Sequence, residues 1–158
     1  MTITLVLPQS VLHQLADVVG HPLETAGVLL ATVVIVDGEH IRLLAREYHP
    51  VAESAYARRE VDGLAIDSAG YVPALARAEA LGAMAIWVHT HPGIGSSPQA
   101  SHHDVVVDAQ LAETFRLRTG SDFYGALILS PTETSFCFTG HHGDHSWNPA
   151  AHKGSRVG

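Results

Sequence analysis

His89 and His91 stand two residues apart in the run Ala83-Met84-Ala85-Ile86-Trp87-Val88-His89-Thr90-His91-Pro92. Strand residues at that spacing point to the same face. Both imidazoles are therefore presented to one side at the exit of an apolar strand, a rigid platform for two nitrogens on one metal ion. A third ligand has to come from another element. Ser101-His102-His103-Asp104 follows a loop rich in Pro, Gly and Ser and opens a helical pattern. Its spacing puts Ser101 and Asp104 on one side of the first helical turn. Serine at an N-cap with an acid three residues later is also an ordinary helix start. What raises Asp104 above that reading is its position just downstream of the two histidines.

Two histidines and one aspartate match a catalytic zinc site better than a structural one. Three protein ligands leave the fourth tetrahedral position open to water, and zinc lowers the pKa of that water to about 7. A general base must then take the proton and pass it to a leaving amine. Glu24 is the candidate. It is a lone carboxylate entering the apolar run Thr25-Ala26-Gly27-Val28-Leu29-Leu30. Such a position costs free energy unless the group is hydrogen-bonded or near a metal. The other reading of that segment is an exposed acid at a loop–strand junction.

The elements that must position these residues follow from hydrophobic periodicity. Thr2 to Leu7 alternates as a strand, and Pro8-Gln9-Ser10 opens a helix with Val11, Leu12, Leu15, Val18 and Val19 at helical spacing. Thr25–Val36 and Ile41–His49 read as strands joined through Asp37-Gly38, a hairpin turn signal. The stretch from Val51 to Asp62 is ambiguous, with room for another strand in part of it. A second helix is expected over Asp67–Leu81, with Tyr71, Leu75, Ala78 and Leu81 on one face and Gly82 ending it. Ala83–Val88 is a short buried strand, and His91–Ala100 a loop. The third helix runs from Ser101 to about Arg118, with Val105, Ala109, Ala112 and Phe115 as its buried stripe. Strands Phe123–Leu129 and Thr134–Thr139 follow, with Cys137 as a strand residue. From Gly140 onward no periodicity remains, so residues 1–139 form the expected domain and 140–158 a loose tail. His141, His142, Asp144 and His145 in that tail read as adventitious. The total is roughly six or seven strands and three helices, an α/β or α+β arrangement with a mixed, mostly antiparallel sheet flanked by helices.

Composition narrows the function classes. The 158 residues are 46% hydrophobic and 16% charged, enough for one domain with a substantial core. A formal net charge of -7 with no Lys/Arg cluster argues against a nucleic-acid binder. The single cysteine excludes an internal disulfide and suits a reducing compartment. Residues 1–8 lack the basic and long apolar regions of a signal peptide. No apolar stretch is long enough to span a bilayer. A soluble, cytoplasmic protein that does not bind membranes is the expectation.

Taken together, Glu24 ahead of Thr25-Ala26-Gly27-Val28-Leu29-Leu30, His89-Thr90-His91-Pro92 and Ser101-His102-His103-Asp104 resemble the signature of the JAB/MPN metalloproteases, also called JAMM. The order of elements fits as well, so the resemblance covers nearly everything up to Thr139. It implies a cytidine-deaminase-like sandwich, zinc held by His89, His91 and Asp104, and Glu24 as the acid/base. Ser101 would stabilise the oxyanion formed when water adds to the carbonyl. The implied substrate is a peptide or isopeptide bond after the C-terminal tail of a ubiquitin-like protein. Small stand-alone prokaryotic members resemble partners of ubiquitin-like conjugation systems, with operon-encoded activating and conjugating enzymes, some of them in antiphage defence. Related readings are action on a sulfur-carrier or signalling-synthase conjugate, and a metal-free scaffold on the same fold. One departure is the loop of twelve residues, Pro92 to His103, between His91 and Asp104. The family's usual, slightly shorter spacing would put the serine and aspartate positions on Gln99 and His102. Gly93, Gly95 and Pro98 can absorb a longer loop, and His102 stays open as an alternative ligand.

Overall fold

Period-two burial in the central strands decides the layering. In chain order the elements are β1 (Thr2–Val6), α1 (Gln9–Val19), β2 (Ala26–Ile35), β3 (His40–Pro50), β4 (Tyr56–Arg59), β5 (Leu64–Ile66), α2 (Val72–Leu81), β6 (Met84–Thr90), α3 (His102–Thr119), β7 (Tyr124–Leu129), β8 (Thr134–His142) and β9 (His145–Gly154). They are taken from a computed structural model that describes residues 1–93 and 99–154. Seven strands form one sheet in the order β1-β3-β2-β6-β7-β8-β9, and β4 pairs with β5 in a separate hairpin. The β1–β3 and β6–β7 pairings are parallel and the other four in the large sheet antiparallel. This is the expected mixed, mostly antiparallel sheet flanked by three helices.

Successive residues of β2 and β6 are buried on opposite faces, so both strands read as continuous apolar runs. Leu29 and Ala31 of β2, with Met84, Ile86 and Val88 of β6, pack against Val11 and Leu15 of α1. Ala26, Val28 and Leu30, with Ala85 and Trp87, face α2 and α3 instead. Helix α2 presents Ala74, Leu75 and Ala78, and α3 presents Leu111 and Phe115. Rings of Tyr71, Trp87, Phe115 and Tyr124 meet edge-on or tilted at centroid separations of 5.5 to 6.3 Å. These aromatics form the floor on which α3 rests. Among the described residues no helix is long and apolar enough to cross a membrane.

The open stretch Val51 to Asp62 does hold one further strand: a 3-10 turn, Glu53–Ala55, leads into β4, and the chain then returns through β5. Three expectations are corrected. Strand β6 continues through Thr90, so His89 lies within the strand and not at its exit. The buried stripe of α3 is rotated: Val105 is 57% exposed and Ala109 is exposed, while Leu111, Phe115 and Thr119 are buried. Leu111, Phe115 and Thr119 are four apart, one helix face. The apolar residues were misleading because that face also carries Asp104 and Asp108 toward the cavity.

The third correction concerns the chain end. Residues 141–154 are not a loose tail: β8 extends to His142, and β9 pairs with it antiparallel through residue 154. Trp147 is 6% exposed and its ring lies 6.0 Å from Phe123 and 6.3 Å from Phe138. No periodicity announced this strand, since an edge strand held by pairing with β8 needs few apolar positions. Trp147→Ala should therefore cost about 3 kcal/mol or more in urea unfolding, as expected for an aromatic removed from a core. An effect below ~0.5 kcal/mol, typical of exposed positions, would mean that β9 contributes nothing to the fold.

Candidate metal centre

The antiparallel register of β2 and β6 brings the three motif segments together. Ala26 is paired with His89, and the hydrogen bond from Thr90 N–H to Thr25 C=O, 3.0 Å, carries the pairing one step further. Continued by one more residue, it sets Glu24 across from His91. Glu24 shares the parity of Ala26 and Val28, and His89 shares that of Ala85 and Trp87. All of them therefore face α2 and α3. His91 follows directly after β6, where its N–H donates to Leu129 C=O at 2.8 Å and extends the alignment with β7.

Asp104 reaches the same place from α3. Ser101 is the N-cap: its Oγ accepts from Asp104 N–H at 3.1 Å, and its own N–H donates to Asp104 Oδ2 at 2.7 Å. This reciprocal capping box fixes the start of the helix and at the same time fixes the rotamer of the carboxylate. Asp104 Oδ1 then lies 3.5 Å from His89 Nε2, and Oδ2 lies 3.5 Å from His91 Nε2. One ligand atom from each of His89, His91 and Asp104 falls within 4.8 Å of the others. Neither ring nitrogen of His89 has a hydrogen-bond partner, although both are buried.

That combination fits a metal ion. Two donors bound to one tetrahedral ion at about 2.0–2.2 Å lie about 3.3–3.6 Å apart, a range that includes the 3.5 Å from each imidazole to its own Asp104 oxygen. Buried ring nitrogens left without partners would otherwise be costly. His89, His91 and Asp104 are thus a group able to hold a metal ion. His102, the alternative ligand, is exposed and is not part of this group. Gly93 has a φ of +105°, as a sharp turn after His91-Pro92 requires. Gly95 and Pro98, also expected to absorb the longer loop, lie outside the described residues.

Glu24 is 7% exposed, and its carboxylate accepts no hydrogen bond from a described residue. Burial raises its pKa; the nearby imidazoles of His89 and His91 act in the opposite direction, and Asp104 and Asp62 add to the rise. Asp104 behaves differently. Burial would raise it as well, but its contacts with His89 and His91 and the Ser101 N–H outweigh burial and hold it well below the usual carboxylate range. One acid is therefore firmly ionised and ready to ligate, while its neighbour is disposed to hold a proton. Asp108, one turn along α3, accepts from Tyr124 Oη at 3.1 Å and is also raised by burial.

These groups share a cavity of about 860 Å³. Trp87, Tyr71 and Leu111 contribute an apolar wall, and the β4–β5 hairpin contributes Val61, Asp62 and Leu64. His103 lines it as well. The hairpin was invisible as a site element, because Ala57-Arg58-Arg59-Glu60 carries no amphipathic signal. Asp108 had one available cue, its position one helical turn after Asp104.

No protein-family model matches the chain, and no curated protein matches it. Among solved structures it is similar to the STIL N-terminal domain of Trichoplax adhaerens, at 11% identity and a TM-score of 0.40. That alignment covers 87% of this chain and 41% of the other, so the chain spans less than half the length of that neighbour.

The raised pKa of Glu24 has a measurable consequence for the metal-free protein. A carboxyl whose folded pKa lies above its unfolded value binds more protons folded than unfolded. It therefore lowers stability as pH rises from about 4.5 through the folded pKa. Glu24→Gln should raise the melting temperature at pH 7, by about 2–4 °C for each kcal/mol of burial cost removed. The gain should vanish below pH 4, where wild type is protonated in both states. A lower melting temperature for the variant at pH 7 would contradict this account of the carboxylate.

Proposed function

We propose that the protein is a zinc-dependent peptidase or isopeptidase that cleaves after the C-terminal tail of a ubiquitin-like protein. The observation that carries this reading is the buried Glu24 carboxylate, without a hydrogen bond from any described residue, in one cavity with the His89–His91–Asp104 group. A structural metal site has no need of such a group, whereas hydrolysis of an amide does. A bound zinc ion would supply an acidified water and polarise the scissile carbonyl.

The chain's own residues divide the remaining work. Glu24, raised by burial, is suited to take a proton at neutral pH and to return it to the departing amine nitrogen. Ser101 Oγ uses a lone pair to cap α3, which leaves its hydroxyl proton available for donation to a carbonyl oxygen as charge develops there. The aromatic and aliphatic wall excludes bulk water and strengthens both interactions. A cavity of about 860 Å³ bounded by a β-hairpin has room for a peptide segment.

Purified protein should carry one zinc per chain and cleave at least one ubiquitin-like fusion in a panel. Glu24→Gln should retain zinc and lose cleavage, and His89→Ala should lose both. Protein purified without zinc, or cleavage left intact by Glu24→Gln, would overturn the proposal. Ser101→Ala should lower kcat by roughly 10²–10³-fold and, separately, cost about 1 kcal/mol of stability through the lost cap. An unchanged kcat with the stability loss alone would confine Ser101 to capping.

A further inference from the structure

We infer that Arg59, at the end of β4, is a positioning residue that holds Glu24 in place through the backbone. This rests on the reading of Glu24 as the proton-transferring group. The Arg59 side chain is 11% exposed, and all three of its nitrogens are engaged. Nε donates to Glu24 C=O at 3.0 Å, Nη2 donates to Thr25 Oγ1 at 2.7 Å, and Nη1 donates to Glu53 Oε1. The guanidinium carbon also sits 4.4 Å above the ring of Tyr56, a cation–π distance. A planar fork that satisfies two acceptors on consecutive residues defines their orientation in a way a point charge does not.

The rest of the Glu24-Thr25-Ala26 backbone is tied with the same completeness. Glu24 N–H donates to Glu60 C=O at 2.8 Å, so both polar groups of Glu24's backbone are bonded to consecutive residues of one hairpin. Thr25 N–H donates to Thr90 Oγ1 at 2.9 Å, and Thr25 C=O accepts from Thr90 N–H at 3.0 Å. Ala26 N–H donates to Tyr56 Oη at 2.8 Å, and Ala26 C=O accepts from Val51 N–H at 3.1 Å. Thr25 and Ala26 are thereby referenced to β6 and to the approach to β4. Glu24 itself precedes β2, and its backbone is referenced to the hairpin alone. Its carboxylate accepts no hydrogen bond from a described residue, so where it points depends on that backbone. Arg59 supplies the bond to Glu24 that comes from a side chain, and it is the point at which one substitution can release the group.

Misplacing a reacting group by about 1 Å can cost on the order of 10²-fold in rate. Arg59→Ala and Arg59→Lys should each lower kcat by roughly 10–100-fold, with KM changed less than about 2-fold and zinc content unchanged. Lysine keeps the charge and loses the fork, so near-equal losses identify geometry as the cause. Thr25→Val, which removes one acceptor of the fork, guards against an alanine variant that fails to fold and should lower kcat by about 3–10-fold. Amide hydrogen exchange gives a readout independent of activity: Arg59→Lys should speed exchange at Glu24 and Thr25 by about tenfold or more, with the core of β6 unchanged. If kcat stays at wild type, if KM rises in place of a fall in kcat, or if exchange at Glu24 is unaltered, the inference is wrong. A wild type that cleaves no ubiquitin-like fusion would defeat the hydrolase reading, and the exchange measurement would still decide whether Arg59 clamps Glu24.

Discussion

The antiparallel pairing of β2 with β6 is the contact from which the rest of the site follows. Ala26 opposite His89 fixes which residues can meet across the two strands. A slip of one residue would turn every side chain of one strand to the other face. Leu29, Ile86 and their neighbours would then leave the α1 core, and Glu24 would lose its alignment with His91. Both faces of these strands are buried, by α1 on one side and α2 with α3 on the other. The apolar cores thus hold the register, and the register holds the polar site.

Electrostatics within the site divides three carboxylates into distinct roles. Asp104 is kept ionised by its imidazole neighbours and the N-cap amide, whereas Glu24 and Asp108 are pushed up by burial. Separation of this kind among acids in one cavity is what the proposed division between a metal ligand and a proton carrier requires. The group is assembled from β6, the segment before β2, and the first turn of α3. None of these needs to move for the donors to converge.

Much of this was readable in the sequence where period and spacing carry information. The two-residue spacing of His89 and His91 placed them on one face, and Asp37-Gly38 and Gly82 marked turns correctly. Gly82 has the left-handed conformation of a helix terminus, with a φ of +63°. The stripe on α3 was misread because periodicity analysis counts apolar residues. That helix buries a face on which Asp104 and Asp108 are interspersed with Leu111 and Phe115. The β4–β5 hairpin escaped because its strands are four and three residues long and lie over a polar cavity. For the same reason nothing in the sequence singles out Arg59, whose acceptors include a backbone carbonyl and a hydroxyl with no pattern of their own. Strand β9 adds to the edge of the sheet, where pairing with β8 and a few contacts such as that of Trp147 are enough to place it.

The doubled duty of Asp104 couples helix formation to ion uptake. Its Oδ2 is shared between the Ser101 N–H and the neighbourhood of His91 Nε2, so the same oxygen that terminates α3 also faces the ligand position. An ion seated there would draw on a lone pair that the helix end already employs, and would tether the first turn to β6. Loading and the rigidity of that turn are then two aspects of a single equilibrium, in which anything that frays the helix weakens the affinity and anything that strengthens binding anneals the helix.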